Sequence, residues 1–488
     1  MKILYNEQQT KELGRGYQTV PVILETELPD FSASEAARRL GTTKPVFLLE
    51  SADCTDKMLN GRFSYLGSDP EMTLRILNGK AVISGKEQQK EIECEDPASL
   101  IDSILEENKS PDLPGLPPFT GGFAGAFAYD FYKYSEPVLK MNNPNPDEFN
   151  DADLMFFKTV YAFDRVFEKL YIMTAVPADI PEGSYGQAVS LLNDSYSRIM
   201  ENREDDGLRT LTGPVHTGLS CEAYSSKVEQ AKAYIREGDI FQVVPSNRMR
   251  AAAEKGCSLF PVYEQLRQSN PSPYMYYLNF GDFEAAGSSP ETLLRKTGSQ
   301  LLTVPIAGTR PRGKDEQQDH ELEAELLEDP KELAEHNMLV DLARNDIGKI
   351  ACTGSVRVRD YLNIRKFRNV MHLCTGVTGQ IKDGMTSMDA LSSLLPAGTL
   401  SGAPKIRACE IIEELEDEKR GLYGGSAGYI GTNGNMDMCI AIRTAFRKNQ
   451  SVIIQSGGGV VADSDPQTEY METRHKAQAV LSAMEAVS

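Results

Sequence analysis

Apolar positions recur along the chain with two different spacings. LLESAD (48–53), FSYLGSDP (63–70) and LRILNGKAVISG (74–85) mix short apolar runs with turn residues, the pattern of short strands. GDIFQVVPSNRMR (238–250), LLTVPIAGT (301–309) and SVIIQSGGG (451–459) predict strands that begin in or run into glycine-bearing turns. Helical spacing is clear twice. One helix is expected from Asp329-Pro330, where Asp329 caps free N–H groups, Pro330 suits the first turn, and Leu333, Leu339 and Leu342 form a buried stripe. Another runs from about Pro466 to the C-terminus, with Ala477, Val480, Leu481 and Met484 inward. Stretches at 111–118, 141–151 and about 201–222 read as connections. The last of these divides an N-terminal region, 1–215, from a region, 216–488, in which strands and helices alternate. The expected class is α/β of the α+β type, with large antiparallel or mixed sheets and flanking helices.

Composition narrows the function classes. A chain of 488 residues, 40% hydrophobic, can bury a sizeable core. Its 71 acidic and 51 basic side chains give a net charge of −20, which repels phosphate backbones and argues against nucleic acid as a partner. An anionic ligand must therefore meet locally placed cations. The cysteines (Cys54, Cys94, Cys221, Cys257, Cys352, Cys374, Cys409 and Cys439) are scattered without a CxxC pair, which fits reduced thiols in the cytoplasm. Neither a signal-peptide-like start nor an apolar run of membrane-spanning length is present, so export and membrane insertion are not expected.

Candidate chemistry lies in the second region. Glu332 and Glu335 share a face of the first helix, and Glu469 and Glu472 repeat the spacing on the second, with Lys476 one turn further. Such pairs could offer oxygen ligands to Mg²⁺, although a solvated face explains the spacing more simply. Gly457, Gly458 and Gly459 could turn their N–H groups toward an anion or form a plain tight turn; their spacing fits no nucleotide-binding loop. Arg443, alternating with apolar neighbours as in a half-buried strand, needs an anion from the protein or from a substrate. A lone strand histidine such as His372 is most often a satisfied core residue.

Taken in order, GDIFQVVPS (238–246), NPSPYMYY (270–277), GSSPETLLR (287–295), PIAGTRPRG (305–313), DPKELAEHNMLVDLARND (329–346), LPAGTLSGAPK (395–405) and GGGVVADSDPQTEYMETRHKA (457–477) resemble the chorismate-utilising enzymes, in particular anthranilate synthase component I. The resemblance spans nearly the whole chain and implies a catalytic 216–488 region behind a regulatory or structural 1–215 region. It implies that Glu335 and Glu472 bind Mg²⁺, supported by Glu332 and Glu469, and that the metal holds the ring carboxylate of chorismate. Arg443, Tyr423 and the N–H groups of Gly457 and Gly459 fall where the family grips the enolpyruvyl carboxylate, with Lys476 nearby. Thr399 matches a substrate-contacting loop, Glu291 the general acid for the departing C4 hydroxyl, and His372 the histidine associated with pyruvate elimination.

The family's subtypes differ at two positions. Relatives that add water carry a lysine base where this chain has Gln242, whereas ammonia is already a nucleophile. Aminodeoxychorismate synthases, the alternative reading, typically carry a nucleophilic lysine where this chain has Ala307. The implied reaction is amination of chorismate to anthranilate with release of pyruvate, the committed step toward tryptophan. With no glutaminase triad in the chain, ammonia is expected from a separate glutamine amidotransferase subunit. Leu49, Glu50, Ser51, Pro273, Tyr274, Met275 and Tyr429 resemble the family's tryptophan feedback site, although interdomain packing would also account for them.

Overall fold

The computed structural model describes residues 1–51, 61–86, 88–201, 215–216, 218–254, 256–368 and 370–487. Residues 52–53 of the first predicted strand, Cys54 and residues 202–214 of the third connection lie outside this set.

Strand alternation builds two large antiparallel sheets. Each has twelve strands among the described residues. Successive residues of a strand face opposite sides, and the Val46–Glu50 strand shows the consequence. Phe47 enters the core shared by the two sheets, while Leu48 joins a second core beneath helices such as Phe260–Ser269. Aromatic rings bridge the sheets, with Phe47 4.7 Å from Phe157 and Tyr65 5.4 Å from Tyr429 between centroids. Both sheets draw strands from both sides of residue 215. Val46–Glu50 pairs with Tyr274–Asn279 in one, and Gly122–Phe127 pairs with Ser426–Gly431 in the other.

Two neighbouring segments switch between the sheets. Phe283–Ser289 and Thr444–Lys448 are paired in the first sheet, and their continuations Thr292–Thr297 and Met436–Ile440 are paired in the second. Residues 290–291 and 441–443 are the crossings. The continuous strand expected around Arg443 is therefore broken, and Arg443 has a φ of +52°, a region that non-glycine residues seldom adopt.

Both predicted acidic helices form, at Pro330–Ile350 and Pro466–Val487. Asp329 caps the first, accepting from the Lys331 and Glu332 N–H groups at 3.0 and 3.2 Å. Its buried stripe is not the leucine series expected. His336, Leu339, Val340, Ala343, Ile347 and Ile350 are buried, whereas Leu333 and Leu342 are half-buried. Leu333 packs on a satellite cluster of Leu326, Met371 and Leu373, and Leu342 lies against Gly398. The second helix buries Ala477, Val480, Leu481 and Met484 as expected. Among the described residues no helix is long and apolar enough to cross a membrane.

Candidate active site

The sheet crossings and the two acidic helices converge on a cavity of about 540 Å³. Its walls bring together Gln242, Glu291, Glu332, Glu335, His372, Thr399, Tyr423, Arg443, Gly457, Gly459, Glu469, Glu472 and Lys476, residues spread over more than 230 positions of sequence. The topology accounts for two of them directly. Glu291 and Arg443 sit on the adjacent crossings, locked by backbone bonds from Ile440 N to Glu291 O (3.0 Å) and from Ser288 N to Arg443 O (3.1 Å).

Glu291 is buried, and burial pushes its carboxyl up to about 8, against the opposing pull of the Thr399 hydroxyl, the Ile306 backbone and the Lys476 charge. It is therefore a protonated acid at neutral pH. His372 lies on the Val370–Gln380 strand, and burial pushes it down to about 4, with the positive charges of Arg443 and Lys476 acting in the same direction. It is a neutral imidazole. Its Nδ1 lies 3.0 Å from the Gly308 carbonyl, which can only accept, so Nδ1 carries the proton and Nε2 keeps a lone pair.

Carboxylates from the two helices also line the cavity. Burial raises Glu335 and Glu469; Glu332 and Glu472 push Glu335 further up, and Glu472 does the same to Glu469. Lys476 pairs with Glu472 at 2.7 Å and also donates to Gly457 O at 3.1 Å. Gln242 Nε2 donates to Glu335 at 3.1 Å, and the Ser464 hydroxyl donates to Glu469 Oε1 at 2.7 Å. Glu469 Oε2 is buried without a hydrogen-bond partner. This surplus of negative charge and the orphaned oxygen suit a hard cation. Among the described residues no three His, Cys, Asp or Glu side chains are gathered closely enough to hold a metal unaided. Mg²⁺ commonly takes only one or two carboxylates and completes its shell with water and substrate.

The glycine run is needed for space. None of Gly457, Gly458 and Gly459 has a positive φ. A Cβ on Gly457 would stand 2.8 Å from the Tyr423 hydroxyl, one on Gly458 2.8 Å from Glu469 Oε2, and one on Gly459 2.4 Å from Gln242 Nε2. The bare backbone thus forms part of the cavity wall. In the same cavity the Arg443 guanidinium makes no hydrogen bond or ion pair among the described residues, while burial works against its charge. A cation held in this way, at a desolvation cost, favours an anionic ligand.

Sequence reasoning missed Lys331, His475 and Ser464, which border the cavity or brace its carboxylates. Lys331 and His475 each adjoin a residue already singled out, on a helix whose phase was predicted, so their place was within reach. The seven residues of the second predicted site also meet, around a pocket of about 70 Å³ between the sheets. Phe63, Tyr65, Arg295 and Asp437 line it as well and were not foreseen.

Comparison with known proteins gives the chain's family. Residues 44–482 match the family of chorismate binding enzymes. Anthranilate synthase component 1 of Pseudomonas aeruginosa is 42% identical over 481 residues, covering 96% of each chain. Its counterpart from Acetivibrio thermocellus is 40% identical, covering 98% of this chain and 97% of the other. The crystal structure of anthranilate synthase component I from Streptococcus pneumoniae superposes with a TM-score of 0.77 at 35% identity, covering 86% of this chain and 92% of that one. The menaquinone-specific isochorismate synthase from Escherichia coli shares the fold, with a TM-score of 0.70 at 18% identity over 96% of this chain and 95% of its own. Matching these relatives over most of its length, the chain belongs to the chorismate binding enzyme family, in its anthranilate synthase component 1 branch.

Proposed function

We propose that this chain is the chorismate-using component of an anthranilate synthase. It adds ammonia at C2 of chorismate with loss of the C4 hydroxyl as water, then eliminates pyruvate to leave anthranilate. The observation that carries the reading is one cavity holding a neutral carboxyl, a neutral imidazole and an unpaired arginine. Arg443, Tyr423 and the backbone at Gly457 and Gly459 hold the enolpyruvyl carboxylate, with Lys476 adding positive charge nearby. Glu291 protonates the C4 hydroxyl as it departs, while Thr399 orients this end of the ring. His372 Nε2 then takes the C2 proton as the C3–O bond breaks and the ring becomes aromatic. Glu335 and Glu472, backed by Glu332 and Glu469, would hold Mg²⁺, whose charge when bound neutralises the ring carboxylate.

Gln242 favours ammonia over water, because an amide fixed on Glu335 cannot act as a base. Ala307, in the cavity wall, cannot attack carbon, which disfavours the aminodeoxychorismate reading. Ammonia comes from a separate glutamine amidotransferase component in the cytoplasm, and tryptophan inhibits by binding the second pocket. The test is incubation of the purified chain with chorismate, Mg²⁺ and ammonium, following product fluorescence and pyruvate. Equal release of anthranilate and pyruvate is expected, with no activity from glutamine. An aminated product without pyruvate would overturn the assignment, and glutamine-dependent turnover would remove the partner subunit.

A further inference from the structure

Arg420 lies in a charged run, EDEKRG, yet its side chain is among the largest fully buried ones, at 2% exposure. It spends four of its five N–H donors inside the protein. Nε and Nη2 form a fork on Glu416 at 2.9 and 2.7 Å, Nη1 donates to Leu400 O at 2.7 Å, and Nη2 donates to Val244 O at 2.5 Å. The guanidinium carbon also stands 5.5 Å from the centre of the Tyr423 ring and 4.6 Å from that of Tyr129.

These partners share one property. Val244, Leu400 and Tyr423 all line the chorismate cavity, yet they come from three segments separated by 156 and 23 residues, and Leu400 follows Thr399 directly. Glu416 extends the clamp to a fourth segment. It accepts from Ser246 N and Oγ at 2.9 and 2.8 Å, and Ser246 Oγ accepts from Gln455 Nε2 at 2.6 Å, on the strand that ends in the glycine run. We propose that Arg420 and Glu416 form a positioning clamp for the proposed chorismate site, setting the separation between the Thr399 wall and the Tyr423–Gly457 wall without touching substrate.

A flat fork makes this clamp, and a point charge cannot. Arg420→Lys keeps charge and stem but can hold Glu416 and at most two carbonyls from a different centre. The inference rests on chorismate binding in this cavity, so turnover is followed as chorismate consumption, whatever the product. With folding confirmed by circular dichroism and a cooperative melt, Arg420→Lys is expected to raise KM for chorismate at least tenfold while kcat falls less than threefold. Glu416→Gln, which keeps shape and one acceptor, should move KM the same way by a smaller factor. In the Arg420→Lys background, Tyr423→Phe should cost much less than in the wild type, because the ring is already displaced. An unchanged KM in folded variants, parallel loss of kcat and KM, or full additivity with Tyr423→Phe would each reduce the pair to core packing. Should Arg420→Lys not fold, the Glu416→Gln KM and its coupling to Tyr423→Phe decide alone. A wild type that consumes chorismate to another product refutes the anthranilate reading but leaves this test intact.

Discussion

The cavity proposed to be catalytic and the second pocket are both reached by one strand pair and its crossings but differ in electrostatic state. The strand pair that carries Glu291 and Arg443 into the cavity carries Arg295 and Asp437 into the pocket. In the cavity, about 540 Å³ in size, Arg443 is unpaired and one Glu469 oxygen has no partner. In the pocket, about 70 Å³, the charges are already satisfied. Buried Glu50 accepts from Arg165 at 2.8 Å, from Arg267 at 2.9 Å and from the Tyr263 hydroxyl. Asp437 accepts from Arg295 and from the Tyr274 hydroxyl, each at 2.9 Å. The cavity is preorganised to receive an anion, at a standing cost in uncompensated charge. The pocket's charges are paired without a ligand, and the Tyr65 hydroxyl is its one lining side-chain atom, among the described residues, that is buried without a hydrogen-bond partner. On the proposed reading, a tryptophan entering it meets packed rings and ion pairs, and its binding would be coupled to a change in how the sheets meet.

The largest test of this contrast removes the acid. Glu291→Gln keeps the shape but has no proton to give, and kcat should fall by about 10²–10⁴-fold, measured as anthranilate formation. A smaller loss would move the acid elsewhere. The same assignment fixes the pH profile of kcat/KM. Above about 8 Glu291 ionises and can no longer donate, so the rate falls on the alkaline side. Below about 4 His372 gains a proton and can no longer accept one, so the rate falls on the acid side. Loss of the alkaline limb in Glu291→Gln would identify its source. Next in size is Arg443→Met, which removes the unpaired cation. KM for chorismate should rise roughly 30-fold or more, the equivalent of about 2 kcal/mol for a lost buried charge contact. An unchanged KM would show that the carboxylate is held by the glycine backbone alone.

Periodicity revealed those parts of the molecule that depend on short-range order. Both acidic helices, the Asp329 cap, the strand containing His372 and the inward face of Pro466–Val487 were legible because each depends on neighbours within a few turns. Arg443 was misplaced in a continuous strand because a switch between sheets leaves no break in an apolar run; MCIAI reads identically whether or not the chain changes sheet. Leu333 and Leu342 were over-assigned to the core because the helix phase is set by the strands beneath it. Arg420 was invisible for the reverse reason, since a charged run normally marks a solvated face and only the fold brings Val244, Leu400 and Glu416 around it. The proposed catalytic set came from family motifs, and the structure gathers it around one cavity, whereas spacing alone left each residue with a bland alternative.

The smallest expected effect probes the pocket. Asp437 ties Arg295 and Tyr274 together on the strand that continues to Arg443. Asp437→Asn keeps the shape, weakens both contacts, and leaves Arg295 with less opposing charge. If closure of the pocket resists tryptophan, the loosened pocket pays less to open, while any contact Asp437 makes to the ligand's amino group is lost. The two effects differ in sign, and their sum is expected to shift the inhibitory concentration of tryptophan only a few-fold. Thermal melts separate them. Ligand present at a hundred times its Kd stabilises the wild type by about 2.7 kcal/mol, and the variant's unliganded melting temperature reports its change in stability without the ligand's contribution. A lower unliganded melting temperature with tighter tryptophan binding would show that closure dominates. An unchanged one with weaker binding would assign Asp437 to the ligand, and the pocket would then be as preorganised as the cavity.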